Sequence, residues 1–315
     1  MVIVSGVDVA RVGDIIRGAT FGWLGVMVVF VLLDLATRAV RWQRLLAPVA
    51  RVPLGRTLQY LLIGYLANNV LPARLGELVR CHYLGDREGI SRATALGTVV
   101  VERVIDTAVV VSIASLAIVV LQVRGLVASA VLFGLAVTAL LVIVLALLVV
   151  AHRLPGAERI ATAVERWPTV TELARKLHGG LAVASRPRTL VEALLLSGVA
   201  WTASVIGFAA AGQALGVELT TAQAALLASG VALATAIPSG PGNLGTFDIA
   251  AAAIAQTFGL EPEKAVALAV ISHATILVVT SIGGGLALLR LGWTGRRPAR
   301  TIEAPLPGEA PLPGD

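Results

Sequence analysis

Charge is scarce in this chain. Asp, Glu, Lys and Arg make up only 14% of its 315 residues, and 57% are hydrophobic. Soluble domains carry about 25% charged residues, so the shortfall excludes a water-soluble globular protein and points to a polytopic membrane protein. A single cysteine, Cys81, excludes an internal disulfide and a cysteine-rich metal site. The sequence also lacks a metal-ligand cluster, a nucleophile elbow and a Gly-x-x-x-x-Gly-Lys phosphate loop. No metal, no cofactor and no ATP hydrolysis are therefore expected. A cleavable leader is not expected either, because the first 20 residues hold Asp8, Arg11, Asp14 and Arg17 without a long apolar core. The net charge of +6 does not imply nucleic acid, since the basic residues cluster in loops between apolar spans.

Long apolar runs are abundant. Crossing a bilayer takes about 20 apolar residues. Five stretches qualify: Phe21–Leu46, Ala93–Leu121, Leu126–Ala151, Thr189–Leu215 and Ala265–Arg290. Two further apolar regions, Arg56–Leu84 and Thr220–Phe258, are each cut by a polar, proline-containing break. Each half has about 12–17 residues, too short to cross alone, so both regions read as re-entrant hairpins. The fold class expected is an all-α polytopic membrane protein. With the N-terminus outside, 20 of the 25 Arg and Lys residues fall in inside segments, counting Arg38, Arg41, Arg44, Arg74 and Arg80 among them. That bias follows the positive-inside rule and predicts a multi-pass protein of the cytoplasmic membrane with its C-terminus cytoplasmic.

In this topology the hairpins enter from opposite faces, and Ile90–Leu96 and Leu260–Val266 lead into the following spans alike. The order span, hairpin, span occurs twice, which predicts an inverted repeat. Residues 1–291 would form one transmembrane domain, with repeat one at about 5–122 and repeat two at about 126–291. The second repeat is preceded by a span and by the amphipathic stretch Pro155–Ser185, which is expected at the cytoplasmic interface. The first has only the polar stretch Ser5–Ala19, so either its first helix is lacking or Met1 is internal. Residues 292–315 carry a repeated Glu-Ala-Pro-Leu-Pro-Gly and are expected to be a disordered cytoplasmic tail.

The breaks and the charges inside spans are the candidate site. Arg74 is the candidate phosphate ligand, since a guanidinium offers bidentate geometry and a half-helix N-terminus a favourable dipole. Glu77 is placed to hold Arg74 or Arg80 at helical spacing, whereas Arg80 reads as an interface anchor. Asn68 and Asn69 read as caps of the broken helix, with Pro72 and Gly76 completing the first break. Glu102, Arg103 and Asp106 fall near mid-bilayer, about 13 Å along their helix from Ala93. Burying each such charge costs about 2.5–3.5 kcal/mol, so the three are either a self-neutralising lock between helices or a polar path for a headgroup or proton. His273 sits at a comparable depth in the last span, as a packing residue or a titratable partner for a headgroup or for Asp248. The second break holds Pro238, Pro241, Gly242, Asn243 and Gly245, with Asp248 opening the returning half-helix as a cap or a ligand. Cys81, His82, Trp23, Trp42, Trp201 and Trp293 read as packing or interface anchors.

At these residues the chain resembles the flippase-like transmembrane region of the lysylphosphatidylglycerol synthase family. The resemblance rests on Asn68-Asn69-Val70-Leu71-Pro72-Ala73-Arg74-Leu75-Gly76-Glu77-Leu78-Val79-Arg80, on Glu88-Gly89-Ile90-Ser91-Arg92 and on Val101-Glu102-Arg103-Val104-Ile105-Asp106, together with Pro238–Asp248 and His273. It runs from about Gly6 to Leu291. Family members usually begin with a further span, and the bifunctional ones carry a soluble aminoacyl-transferring domain that this chain lacks. Aminoacylation of lipid is therefore not expected. Asp248 stands where members often have Glu.

Together these readings predict a lipid translocase that moves a phospholipid or polyprenyl-phosphate-linked lipid between leaflets rather than a chemical catalyst. The expected partner is a membrane lipid with a phosphate-bearing headgroup, with a second copy of the chain or an envelope-synthesis enzyme as protein partner. The alternatives are a membrane-embedded glycosyl or aminoacyl transferase, with Glu77 as its acid or base, and a non-catalytic scaffold.

Overall fold

The structure, a computed structural model, describes residues 7–72, 74–150, 168–237 and 239–293. Those residues are helical and contain no strand. A short helix α1 (Val9–Arg17) opens the chain, N-capped by Asp8, whose side chain accepts from the backbone N–H groups of Ala10 and Arg11. Long α2 (Phe21–Leu46) follows, then the short pair α3 (Leu54–Val70) and α4 (Gly76–Glu88), then long α5 (Arg92–Leu121). After α6 (Leu126–Val150) come α7 (Pro168–Leu181), which runs into a 3-10 turn at Ala182–Ser185, and long α8 (Pro187–Ala214). The short pair α9 (Thr221–Ala234) and α10 (Thr246–Gln256) and the final α11 (Pro262–Trp293) complete the chain. Pro238, the stretch 151–167 and the proline-rich tail lie outside the described residues.

Five helices, α2, α5, α6, α8 and α11, are long and apolar enough to cross a membrane. They match the five sequence-derived spans to within three residues at each end. At 1.5 Å per residue, α3 reaches about 26 Å and α4, α9 and α10 less, short of the ~30 Å hydrocarbon slab. Apolar side chains cover the outside. Phe21, Leu126, Phe133 and Val119 are all exposed, as a lipid-facing surface requires, and α6 is apolar on every side.

The packing of one half has its counterpart in the other. Central α2 and α8 lie side by side along most of their length. Helix α3 packs on α11 while α9 packs on α5; α4 packs on α5 while α10 packs on α11. Even the short leading helices correspond, α1 resting on α11 and α7 on α5. Arg11 of α1 is tied to Glu261 at 3.1 Å.

Helix α7 meets α5 closely because both present glycine. A Cβ at Gly180 would lie 2.1 Å from the Thr94 carbonyl oxygen, and one at Gly97 would lie 2.5 Å from that of Leu177. Its neighbour Gly179 faces open space. Gly180→Ala must therefore prise the helices apart, an overpacking cost of about 1–3 kcal/mol. Gly179→Ala is expected to hold or raise stability, since alanine suits a helix interior better. Melting curves of the detergent-purified variants check the pair: equal loss at both positions would contradict this packing.

Candidate functional site

Two helices bring ionic side chains into the interior at helical spacing, and a third meets them with polar ones. Helix α2 presents Asp34, Arg38 and Arg41 along one stripe, and α5 presents Glu102, Arg103 and Asp106. Opposite them α8 presents Ser197, Trp201 and Ser204 at the same spacing as the α2 stripe. Arg41 is fully buried. Its Nη2 donates to Asp106 Oδ2 at 2.9 Å and Glu102 Oε1 at 3.1 Å. Its Nη1 donates to Asp106 Oδ1 and, at 2.6 Å, to Ser197 Oγ. Arg38 binds Asp34 through Nε at 2.8 Å and Asp106 through Nη1 at 3.2 Å. The Trp201 ring lies under the Arg38 guanidinium, and its Nε1–H donates to Asp106 Oδ1 at 3.2 Å.

Glu102 Oε1 is shared by three guanidiniums: Arg41, Arg103 at 2.6 Å and Arg80 at 3.2 Å. Arg80 is buried and stacks over Trp42 at 4.5 Å. This corrects four expectations. Arg38 and Arg41 are not loop charges, Arg80 is not an interface anchor, and Trp201 does more than pack. The rule that counts cations near span ends cannot see a carboxylate 65 residues further along the chain. The visible signal was Asp34, an acid inside an apolar span at helical spacing from Arg38 and Arg41.

Beside this network lies a cavity of about 450 Å³, inside the range of about 300–1,000 Å³ usual for ligand sites. Both helix breaks reach it. Arg74, Glu77, Arg103, Asp106, Asn243 and His273 all line it, as do Asn68, Asn69, Gly76 and Gly242. Asp34, Arg38 and Arg80 complete its charged part; Met27, Val31, Val110 and Leu277 supply apolar wall. Glu102 sits behind Arg103, and Asp248 behind His273. Pro72, Pro241 and Gly245 belong to the breaks but not to the cavity wall. Pro238 is outside the described residues.

At the first break α3 stops at Val70, and the chain reverses through Arg74, whose φ of 54° is left-handed. Such a backbone is strained for any residue but glycine, and strain of this kind clusters at functional sites. Asn68 Oδ1 accepts from Gly76 N–H at 2.7 Å and so caps α4. Gly76 has to be glycine, because a Cβ there would fall 2.0 Å from the Gly64 carbonyl oxygen. Asn69 is not a cap. Its Nδ2 donates to Thr280 Oγ1 and Ser281 Oγ on α11, both at 2.9 Å.

Arg74 itself, among the described residues, makes no hydrogen bond and no ion pair. Arg80 turns to Glu102 rather than to Glu77, whereas the Glu77 carboxylate faces Arg74 electrostatically without a hydrogen bond. Oε2 of Glu77 is buried without a hydrogen-bond partner. Around the first break five arginines (Arg38, Arg41, Arg74, Arg80 and Arg103) face four carboxylates (Asp34, Glu77, Glu102 and Asp106), and a fifth carboxylate, Asp248, lies against His273 at the second break.

The second break is self-satisfied. His273 Nδ1 lies 3.0 Å from Asp248 Oδ1, and Nε2 lies 2.8 Å from the Gly242 carbonyl oxygen. Both ring nitrogens thus face acceptors. Asp248 Oδ2 also accepts from Gly245 N–H at 3.1 Å, so this acid is a cap as well as the histidine's partner. Phe247 stacks on the imidazole with centroids 4.1 Å apart. Asn243 takes the left-handed position here with φ 56°, beside Gly242 at 63°.

A helical multi-pass membrane protein with a charged internal cavity between two broken helix pairs is the class these features define. The chain belongs to the family of the lysylphosphatidylglycerol synthase TM region, whose family model matches residues 1–284. That family places it among membrane proteins that handle lipids. No curated protein and no solved structure matches the chain.

Asp106→Ala would leave Arg38 and Arg41 buried without their shared carboxylate. Breaking such a pair costs about 3–5 kcal/mol, so the variant should melt far below the parent or fail to accumulate in the membrane. Glu261→Ala removes an exposed partner of Arg11 and should cost less than about 1 kcal/mol. Comparable effects of the two substitutions would contradict the burial described.

Proposed function

We propose that the protein is a lipid translocase: a phosphate-bearing headgroup passes through the cavity while its apolar tails stay in the surrounding lipid. The observation that carries this reading is the unpartnered, conformationally strained Arg74, open to a cavity that both helix breaks line. A phosphate is the ligand a free guanidinium suits best, because two parallel N–H···O bonds can form. Arg103 lies on the same wall as a second donor. Glu102 and Asp106 hold the arginines in place, and His273 with Asp248 fixes the second break.

The matched packing of the two halves supports an inverted repeat with two re-entrant hairpins opening toward opposite faces. Breaks of this kind are tolerated at membrane depth only where protein or a wet cavity surrounds them. The arginines remaining in loops after Arg38, Arg41 and Arg80 are set aside still favour a cytoplasmic C-terminus in the cytoplasmic membrane.

Reconstitution into vesicles with labelled phospholipids and polyprenyl-phosphate lipids tests the proposal. The parent should speed movement between leaflets, and Arg74→Ala should slow it about 10- to 100-fold, the worth of a hydrogen-bonded charged pair. Movement at the protein-free rate for all lipids tried would overturn the reading. A lipid recovered with altered mass would instead indicate a membrane-embedded transferase.

A further inference from the structure

A hollow of about 460 Å³ lies at the joint between α2 and α3 and shares no residue with the charged cavity. Its frame is fixed from behind. Val52 is buried in a core cluster with Trp42 and Leu46, and the Gln43 side chain donates to the Val52 carbonyl oxygen at 2.9 Å. Arg44 and Arg51 line the hollow and are both exposed. Neither side chain makes a hydrogen bond or an ion pair among the described residues. Beside them Ala47, Ala50, Val52 and Pro53 form an apolar wall. Two free cations next to a small apolar surface suit a segment that carries an acid and an aliphatic side chain on one edge.

The chain itself carries such a segment. Residues 301–315, outside the described residues, contain Glu-Ala-Pro-Leu-Pro-Gly twice and then Asp315. Every third residue alternates acid and leucine: Glu303, Leu306, Glu309, Leu312 and Asp315. The polyproline II helix that prolines favour has three residues per turn, so in that form these side chains would fall along one edge about 9 Å apart. Its stiffness would lower the entropy lost on docking. Position fits as well. Leu291, close to the end of α11 at Trp293, belongs to the same core cluster as Val52. The stretch from Trp293 to Glu303 reaches up to about 35 Å when extended.

We propose that this acidic, proline-rich segment docks in the hollow. A glutamate carboxylate sits between Arg44 and Arg51, and the leucine three residues later rests on Ala47, Ala50, Val52 and Pro53. The repeat offers this unit twice, and the tether raises its effective concentration to about the millimolar range. The contact is independent of whether the protein moves lipid.

Spin-label distances in the full-length protein, held in a neutral maltoside detergent, test the docking. The labels are attached at Gly55→Cys, where an added side chain meets open space, and at Gly308→Cys between the two repeats, with the buried Cys81 replaced by alanine. Each label stands within two residues of the proposed contact, so the docked form should give a narrow distribution below about 25 Å. A released segment should spread over tens of ångströms. Arg44→Glu combined with Arg51→Glu should release it, and adding Glu303→Arg, Glu309→Arg and Asp315→Arg should bring it back. Leu306→Ser with Leu312→Ser should release it in part. Salt at about 1 M, where charges are screened beyond about 3 Å, should broaden the parent's distribution without any change to the hollow.

A broad distribution in the parent at low salt would overturn the inference. So would a narrow one that the arginine substitutions leave unchanged, because the segment would then rest elsewhere. Loss of the narrow distance on moving from phosphatidylcholine nanodiscs to phosphatidylglycerol-rich ones would overturn it too, since the hollow would then belong to anionic headgroups.

Discussion

Arg41 is the point on which the structure turns. Its guanidinium is wholly buried, and its partners come from two other helices: Glu102 and Asp106 on α5 and Ser197 on α8. Through Glu102 it is linked to Arg80 on α4 as well. Helices in lipid gain little from burying apolar surface against one another, because the tails around them are equally apolar. What sets their register is close packing and polar ties. A buried charge has one acceptable arrangement, the one in which its partners meet it, so this cluster selects one rotation and one height for each of four helices. Its contribution is to specificity more than to net stability, since desolvating the ions offsets much of their attraction.

That commitment has a consequence for the cavity. Arg38, Arg41, Arg80 and Arg103 engage Asp34, Glu102 and Asp106, which leaves Glu77 as the carboxylate beside Arg74 with no hydrogen bond between them. Arg74 is also the residue that the chain reversal forces into the left-handed region. A strained, unsatisfied cation would be removed readily if it served packing alone. The break is held in place by other residues: Asn68 caps α4, and Asn69 is pinned to Thr280 and Ser281 of α11. On the same face of α11, one and two turns earlier, Leu277 and His273 meet the second break at Gly242. A single helix therefore fixes both breaks, and the strain at Arg74 is borne by that frame.

Much of this was legible beforehand because membrane helices announce themselves by length and apolarity. The five spans, the two interrupted pairs and the trio Glu102, Arg103 and Asp106 could all be found from local pattern. The contact of His273 with Asp248 was one of the readings left open for that histidine, beside packing and a headgroup. The charge network could not be found that way. Arg38 and Arg41 lie near the end of α2, where cations usually mark the cytoplasmic boundary, and only the fold reveals that the helix tucks them against α5. Adjacent Asn68 and Asn69 were indistinguishable in sequence. Successive helix positions point about 100° apart, so one reaches the backbone of α4 and the other reaches α11.

The two breaks share a layout yet differ in charge, and that difference decides what each contributes. Arg74 and Asn243 are the non-glycine left-handed residues of the two breaks, each placed just ahead of the helix that follows. In the second break the only ionic groups, Asp248 and His273, face one another, and the Gly242 carbonyl completes the set. Nothing there is left to attract an ion. In the first break Arg74 is open and Glu77 unmatched. The anionic ligand proposed for the cavity would therefore settle at the first break, where Arg74 stands.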